Sequence, residues 1–93
     1  MKYGDKFENK GDDLYIDGKK VLKAWESFSG WYWFATEKME ERKLPDDTIW
    51  FGLVQGFEEE WGDFSEAELN ELIKVNKVWK IPKSAWSYSG RRG

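Results

Sequence analysis

The segment Thr48–Val54 restricts the possible folds more than any other part of the chain. Its length and its aromatic and β-branched residues are typical of a strand. Successive side chains of a strand point to opposite faces, so one face carries an isoleucine, a phenylalanine and a leucine, and the other carries Trp50 and Val54. Because both faces are apolar, we predict a central strand with a covering layer on each side.

A meander of three antiparallel strands is predicted before this segment, between Leu14 and Thr36. The dipeptide Asp17-Gly18 separates two strand-like runs and favours a type I′ hairpin turn, in which both central residues have positive φ. The return strand, Lys20–Phe28, leads through a second turn to a third strand, Trp31–Thr36. Residues 1–12 carry few apolar side chains, so we expect either a loose strand or a frayed end there.

The clearest local signal in the chain is a helix start at Ser65. The sequence Ser65-Glu66-Ala67-Glu68 is a capping box, in which the serine hydroxyl accepts a hydrogen bond from the amide of the second glutamate. Apolar residues recur at helical spacing after it. We therefore expect a helix from about Ser65 to Val75, followed by a short strand, Val78–Ile81, which Pro82 ends.

Together these elements predict the α+β class. We expect a small antiparallel sheet, made of the meander with one or two further strands, and one main helix at about residues 65–75. The stretches Glu37–Asp47 and Gln55–Asp63 are predicted as connections. With 93 residues, of which 7 are Trp, 4 Tyr and 6 Phe, the chain suits one domain whose core consists of few but large side chains. We expect this domain to span residues 1–83 and residues 84–93 to form a partly flexible tail.

The absence of cysteine and histidine excludes several kinds of site. Without cysteine there is no disulfide, no thiolate zinc site and no cysteine nucleophile, which favours a cytoplasmic protein. Without histidine the chain lacks the commonest general base and transition-metal ligand. We therefore expect no metal and no cofactor. No apolar run approaches the roughly 20 residues of a membrane span, so no membrane association is predicted.

Catalysis by a pair of carboxylates is the remaining enzymatic option. The candidates are Glu58, Glu59, Glu60 and Asp63. Three consecutive glutamates beside a helix start are, however, typical of a solvated acidic face, and the glycines are too scattered to form a phosphate-binding loop. We therefore predict a protein without enzymatic activity and without catalytic residues.

Charge is distributed unevenly along the chain. Residues 44–73 contain nine acidic residues and no basic one, whereas residues 74–93 contain six basic residues and no acidic one. This pattern predicts a negative surface around the helix start that binds a protein with a basic surface, with a tryptophan as anchor. The predicted partner-binding residues are Glu58, Glu59, Glu60, Trp61, Asp63 and Glu66. Alternatively, the basic tail folds back over the acidic segment and neutralises it.

Binding of single-stranded nucleic acid is the alternative function. Exposed rings on a sheet can stack with bases, and basic residues can bind the phosphates. The residues predicted for this role are Trp31, Trp33, Lys80, Lys83, Arg91 and Arg92. Trp31 and Trp33 share one face of their strand and Tyr32 and Phe34 share the other, so one of the two pairs is expected in the core. The net charge of −3 argues against nucleic acid as the partner.

The oligomeric state follows from the two apolar faces of the strand Thr48–Val54. If one helix covers only one face, the other must be covered by the tail or by a second copy across a two-fold axis. The sequence is compatible with a monomer and with a homodimer.

Residues 51–65, which read FGLVQGFEEEWGDFS, resemble a family of small uncharacterised proteins from plasmids, conjugative elements and phages. The core of that family reads F-G-L-V-x-G-F-E-x-E-x-G-x-F-S, followed after two spacers by E-L, which is similar to Glu68-Leu69 here. Residues 33–37 are similar to the family's W-x-A-T-E segment, and residues 78–82 look like its closing strand. The resemblance spans roughly residues 20–87.

The chain departs from the family pattern at Glu59, where proline is common, at Trp61, where an aliphatic residue is common, and at its shorter N-terminus. The resemblance implies an accessory protein of a phage or mobile element. It transfers no activity and no functional residue. Small proteins from that setting often act by binding, and sometimes inhibiting, a host protein, an association that does not rest on physical chemistry.

Overall fold

The structure is a computed structural model that describes residues 6–39 and 47–85. It has the predicted α+β class, with two antiparallel sheets and one main helix, α1 (Glu66–Lys74). The smaller sheet consists, in spatial order, of β1 (Phe7–Lys10), β2 (Asp13–Ile16) and β3 (Lys19–Lys20). The strands of the larger sheet are β4 (Lys23–Ser27), β5 (Tyr32–Lys38), β6 (Ile49–Gln55), β7 (Glu59–Ser65) and β8 (Val78–Lys80). They are arranged in the order β7-β6-β5-β4-β8, and a 3₁₀ turn, Lys83–Ala85, follows them in the chain.

The predicted meander is divided between the two sheets. The Asp17-Gly18 turn forms as predicted, with φ angles of 52° and 81°. The predicted strand Lys20–Phe28, however, changes sheet: the amide of Val21 donates to Leu14 of β2 at 2.8 Å, whereas the amide of Leu22 donates to Ala35 of β5 at 2.7 Å. The chain therefore crosses from one sheet to the other between these two residues, which lets the first hairpin fold over the larger sheet.

Strand β6 is central, as its apolar pattern predicts, with one face covered by the smaller sheet and the other covered in part by α1. Directly opposed residues of neighbouring strands share a face, so Leu53 lies between Phe34 of β5 and Trp61 of β7. This face packs against the smaller sheet, whose Phe7 and Leu14 belong to the same buried cluster. Among the described residues, the N-terminal hairpin is thus the layer that covers this face. Within residues 1–12, for which a loose strand or a frayed end was expected, Phe7–Lys10 form the paired strand β1.

Helix α1 covers part of the opposite face of the larger sheet. Its buried Leu69 and its partly buried Ile73 pack in one cluster with Trp25, Trp50 and Val78. The helix is too short to cover the whole face, because it has nine residues and lies near one end of the strands. In the described part of the chain, no helix has the length and apolar character that crossing a bilayer requires.

Both ends of α1 are defined by local hydrogen bonds. At the start, the Ser65 hydroxyl accepts from the amide of Glu68 at 3.2 Å, which confirms the predicted capping box serine. At the end, Asn76 adopts a positive φ of 62°, and the amide of Lys77 donates to the carbonyl of Leu72 at 3.0 Å. This is a Schellman motif, and it ends the helix where the sequence predicted.

The predicted connection Gln55–Asp63 is wrong at Gln55, which is the last residue of β6, and from Glu59 onward. That residue begins β7, which pairs with β6 over its whole length, and only residues 56–58 form the turn between the two strands. The sequence favoured a loop because charged residues and glycine have low β-propensity. They are tolerated here because β7 is an edge strand, where charges also discourage pairing with other sheets.

Candidate functional site

The pleat of β7 distributes the predicted partner-binding residues over both faces of the larger sheet. Glu59 and Trp61 lie on the face that the smaller sheet covers, whereas Glu60 and Gly62 lie on the opposite face. In the predicted loop, Glu59, Glu60 and Trp61 could all have pointed to one side, whereas in a strand successive side chains point to opposite faces. The structure therefore does not bring the six predicted residues together on one surface.

Glu59 and Trp61 are both bound to other residues of the chain. The carboxylate of Glu59 lies 2.7 Å from the ammonium of Lys6 and accepts a hydrogen bond from Gln55 Nε2 at 2.9 Å. The ring of Trp61 is half-buried and stacks on Phe51 with centroids 6.0 Å apart, while the ammonium of Lys19 lies 5.2 Å from its centroid. Both side chains therefore hold β7 against the rest of the protein.

Glu66 lies at the helix start and forms part of the contact between α1 and the sheet. Its carboxylate lies 3.1 Å from the ammonium of Lys23 and accepts from Trp50 Nε1 at 2.8 Å. Burial disfavours the charged form of this carboxylate, but the hydrogen bonds from Trp50 and Lys23 outweigh burial and lower the pKa of Glu66. The neutralising lysine comes from β4, whereas the sequence analysis considered only the basic tail.

Asp47 provides a second cap for α1 that the sequence analysis did not find. Its Oδ2 accepts from the Ser65 hydroxyl at 2.6 Å, and its Oδ1 accepts from the amides of Thr48 at 2.7 Å and Ala67 at 2.8 Å. The hydrogen bond from Ser65 outweighs partial burial and, with those from the two amides, lowers the pKa of Asp47. This carboxylate therefore joins the start of β6 to the start of the helix.

Replacing Asp47 with alanine is expected to lower the free energy of unfolding by about 1 kcal/mol at pH 7, because the helix loses a cap. Since folding lowers the pKa of Asp47, its stabilisation is fully present above the unfolded-state pKa of about 3.9 and is lost as the pH falls through the lower folded-state value. Urea denaturation between pH 7 and pH 2 measures this. The difference between wild type and variant should shrink in acid; a difference that is independent of pH would contradict the capping role. Asp12→Ala, at an exposed aspartate, is the control, with little effect expected.

A groove opens on the sheet face that α1 leaves partly uncovered. Its volume is about 470 Å³, which lies in the range of roughly 300–1,000 Å³ that is typical of ligand sites. The residues that line it are Trp31, Val54, Phe57, Glu58, Glu60, Gly62 and Asp63. One side of the groove is thus aromatic and the other side is acidic.

The aromatic side of the groove is built around Trp31. Its ring lies 6.0 Å from that of Trp33 and 5.4 Å from that of Phe57, which it meets edge-on. The ring rests on the turn between β6 and β7, where Gly56 makes room: a Cβ there would lie 2.5–2.6 Å from two carbons of the indole. Phe57, at the tip of this turn, is 94% exposed and remains available for contact with a partner.

The acidic side of the groove carries Glu58 and Glu60. Both side chains are exposed, and neither forms an ion pair with any residue in the ranges 6–39 and 47–85. Glu60 is the cross-strand partner of Val54, which is in turn the partner of Trp33. An aromatic ring, an aliphatic side chain and a carboxylate therefore lie in one row across three strands, about 10 Å from first to last.

The residues predicted to bind nucleic acid are separated in the structure. Trp31 and Trp33 are half-buried on the groove face, whereas Tyr32 and Phe34 are buried in the core. Of the two pairs, the second is therefore the one that forms the core. Lys83, however, lies 3.0 Å from Asp13 of the smaller sheet, and Lys80 lies on β8, at the far edge from the groove. Arg91 and Arg92 lie outside the described residues. Trp31 thus lies beside acidic residues in the groove, away from the sheet edge that carries Lys80.

Three groove residues were not predicted from the sequence, namely Val54, Phe57 and Gly62. Phe57 carried a usable signal, because an aromatic residue between a glycine and a run of glutamates has no apolar neighbours in the chain with which to form a core. The other two could not be found without knowing that β7 pairs with β6. No group of three or more carboxylates among the described residues is arranged to hold a metal ion.

Comparisons with protein-family models, with curated proteins and with solved structures found no match. The resemblance to small proteins of phages and mobile elements, the host partner and the cytoplasmic location therefore stay predictions.

Proposed function

We propose that this chain is a non-enzymatic accessory protein of a phage or other mobile element, and that it binds a basic segment of a host protein in the host cytoplasm, where it can act as an inhibitor. The binding site is the groove whose aromatic side is centred on Trp31 and whose acidic side carries Glu58 and Glu60. The sequence-based hypothesis of an acidic docking surface is kept, but its location changes from the helix start to this groove.

The observation that carries the proposal is the contrast between paired and unpaired carboxylates. Three acidic residues of the block 44–73 are compensated from within the chain, because Glu59, Glu66 and Glu71 lie within 3.2 Å of lysine ammonium groups. Glu58 and Glu60 have no such neighbour among the described residues, and they line a groove together with exposed aromatic surface. Aromatic side chains ringed by charge are typical of the residues that dominate binding energy in protein interfaces.

Electrostatics favours a basic protein segment over nucleic acid as the occupant. A nucleic acid that stacked on Trp31 or Trp33 would bring its phosphates close to the two glutamates, and affinity for nucleic acid depends largely on neutralising phosphates. A basic segment would instead neutralise these carboxylates and would be attracted from a distance at low ionic strength.

The charge-reversal variant Glu58→Lys with Glu60→Lys tests this function. The control is Glu8→Lys with Asp12→Lys, which makes the same change in net charge at exposed positions of the smaller sheet. Capture from a lysate of the host, with the bound protein identified by mass spectrometry, is followed by calorimetric titration of the purified partner. We expect wild type and control to bind a basic protein with similar affinity, and the groove variant to bind it at least about tenfold more weakly. A partner that binds the groove variant as well as the wild type would refute the assignment of the site.

A further inference from the structure

We infer that the groove binds an arginine side chain of the partner, with the guanidinium between the ring of Trp31 and the carboxylate of Glu60. This inference rests on the proposed function and names the chemical group that the groove selects. Two observations support it: the groove combines aromatic, aliphatic and acidic surface, and the aliphatic residue lies next to the acidic one across the strands.

The groove presents a π face and a carboxylate across an aliphatic floor. Trp31, whose ring lies 6.0 Å from that of Trp33, supplies the π surface on the β5 side, Val54 supplies the floor on β6, and Glu60 supplies the charge on β7. An arginine side chain has the matching parts, since its methylene stem can lie on aliphatic surface while its guanidinium stacks on an indole and donates two hydrogen bonds to one carboxylate. Because Val54 and Glu60 are cross-strand partners, the stem can lie on the valine while the guanidinium reaches the carboxylate.

Arginine fits this arrangement better than lysine does. The lysine ammonium is a compact and strongly hydrated charge, so it loses more hydration free energy when it leaves water for an aromatic surface. It also cannot form the paired hydrogen bonds that a planar guanidinium makes with a carboxylate. Both residues would be attracted to Glu58 and Glu60, but only arginine would use the tryptophan surface to full effect.

A second copy of this chain is a poor occupant of the same groove. A symmetric contact would place Glu58 and Glu60 of one copy near the same residues of the other, and like charges that meet at an interface oppose association. The volume of about 470 Å³ exceeds that of a single side chain, so the groove has room for an arginine and for part of the extended chain beside it. We therefore assign the groove to a basic segment of a different protein.

The test is an NMR titration of the full chain with two blocked peptides of equal length and charge, one of alternating arginine and glycine and one of alternating lysine and glycine. The seven indole N–H signals report on the seven tryptophans separately. The Trp31 signal is assigned from the variant Trp31→Phe, which retains a ring in case Trp31→Leu does not fold. Trp79, which is 44% exposed and lies at the far edge of the sheet, serves as the internal control.

We expect the arginine peptide to bind at least about fivefold more tightly than the lysine peptide at low salt, and to shift the Trp31 indole signal but not that of Trp79. Glu60→Gln should weaken binding of the arginine peptide about tenfold, because a hydrogen bond to a charged group is lost. Glu68→Gln, at an exposed glutamate of α1, should have no effect.

Three other outcomes would overturn this inference, and they are distinguishable. Equal binding of both peptides with no shift at Trp31, but with weaker binding by Glu60→Gln, would refute the arginine site and leave the acidic docking surface standing. Binding of neither peptide at low salt would refute both. A shift of the Trp31 signal on replacing Arg91 and Arg92 with glutamine, without any peptide, would show that the groove holds the chain's own tail and that the assignment to a partner is wrong.

Discussion

Replacing Phe7 with alanine is expected to lower the free energy of unfolding by about 3–5 kcal/mol. The side chain is 4% exposed, and its ring packs edge-on against that of Phe34 with centroids 5.4 Å apart. This contact joins β1 of the smaller sheet to β5 of the larger one, so alanine would leave a cavity between the two layers. The loss is a large part of the roughly 5–15 kcal/mol that stabilises a typical domain.

Phe57→Ala is the matched control for Phe7→Ala, because it removes the same atoms from a ring that is 94% exposed. It should change the free energy of unfolding by less than about 0.5 kcal/mol. Urea denaturation followed by far-UV circular dichroism compares the two variants directly. If both variants were equally stable, the N-terminal hairpin would not be the layer that covers this face of the larger sheet.

Replacing Gly52 with alanine is expected to lower the free energy of unfolding by about 3 kcal/mol or more. Gly52 lies in β6 opposite Ala35 of β5, next to an irregularity in the pairing of these two strands. A Cβ at this position would overlap the carbonyl oxygen of Phe34 and lie 2.8 Å from its carbonyl carbon. These are main-chain atoms at the centre of the sheet, so relief requires the two strands to move apart.

Gly62→Ala provides a close comparison, because Gly62 is the cross-strand partner of Gly52 on β7. Apart from its two chain neighbours, no described residue has an atom within 4 Å of the position that its Cβ would take. We expect this variant to be as stable as the wild type or up to about 1 kcal/mol more stable, since alanine reduces the freedom of the unfolded chain. Thermal and urea denaturation of both variants would test this. Equal losses at the two positions would show that close approach of the Phe34 carbonyl is not the reason for glycine at position 52.

Several parts of the structure could be predicted from short stretches of sequence. The Asp17-Gly18 turn, the Ser65 cap and the two apolar faces of β6 all agree with expectation. Each depends on backbone preferences or side-chain alternation within a few residues, so no knowledge of distant contacts was needed. The α+β class followed from the same local signals.

The candidate site depended instead on contacts between distant parts of the chain. Strand β7 has charged residues and glycine, and it becomes a strand because it completes hydrogen bonds along β6, not because of its own β-propensity. Its pleat then separates Glu59 from Glu60, and the first of these is neutralised by Lys6, which is 53 positions away in sequence. Composition could show that acidic residues are concentrated between residues 44 and 73. Only the pairing of strands and the position of the lysines decide which of those carboxylates are left to meet a partner, because charge compensation acts through space and not along the chain.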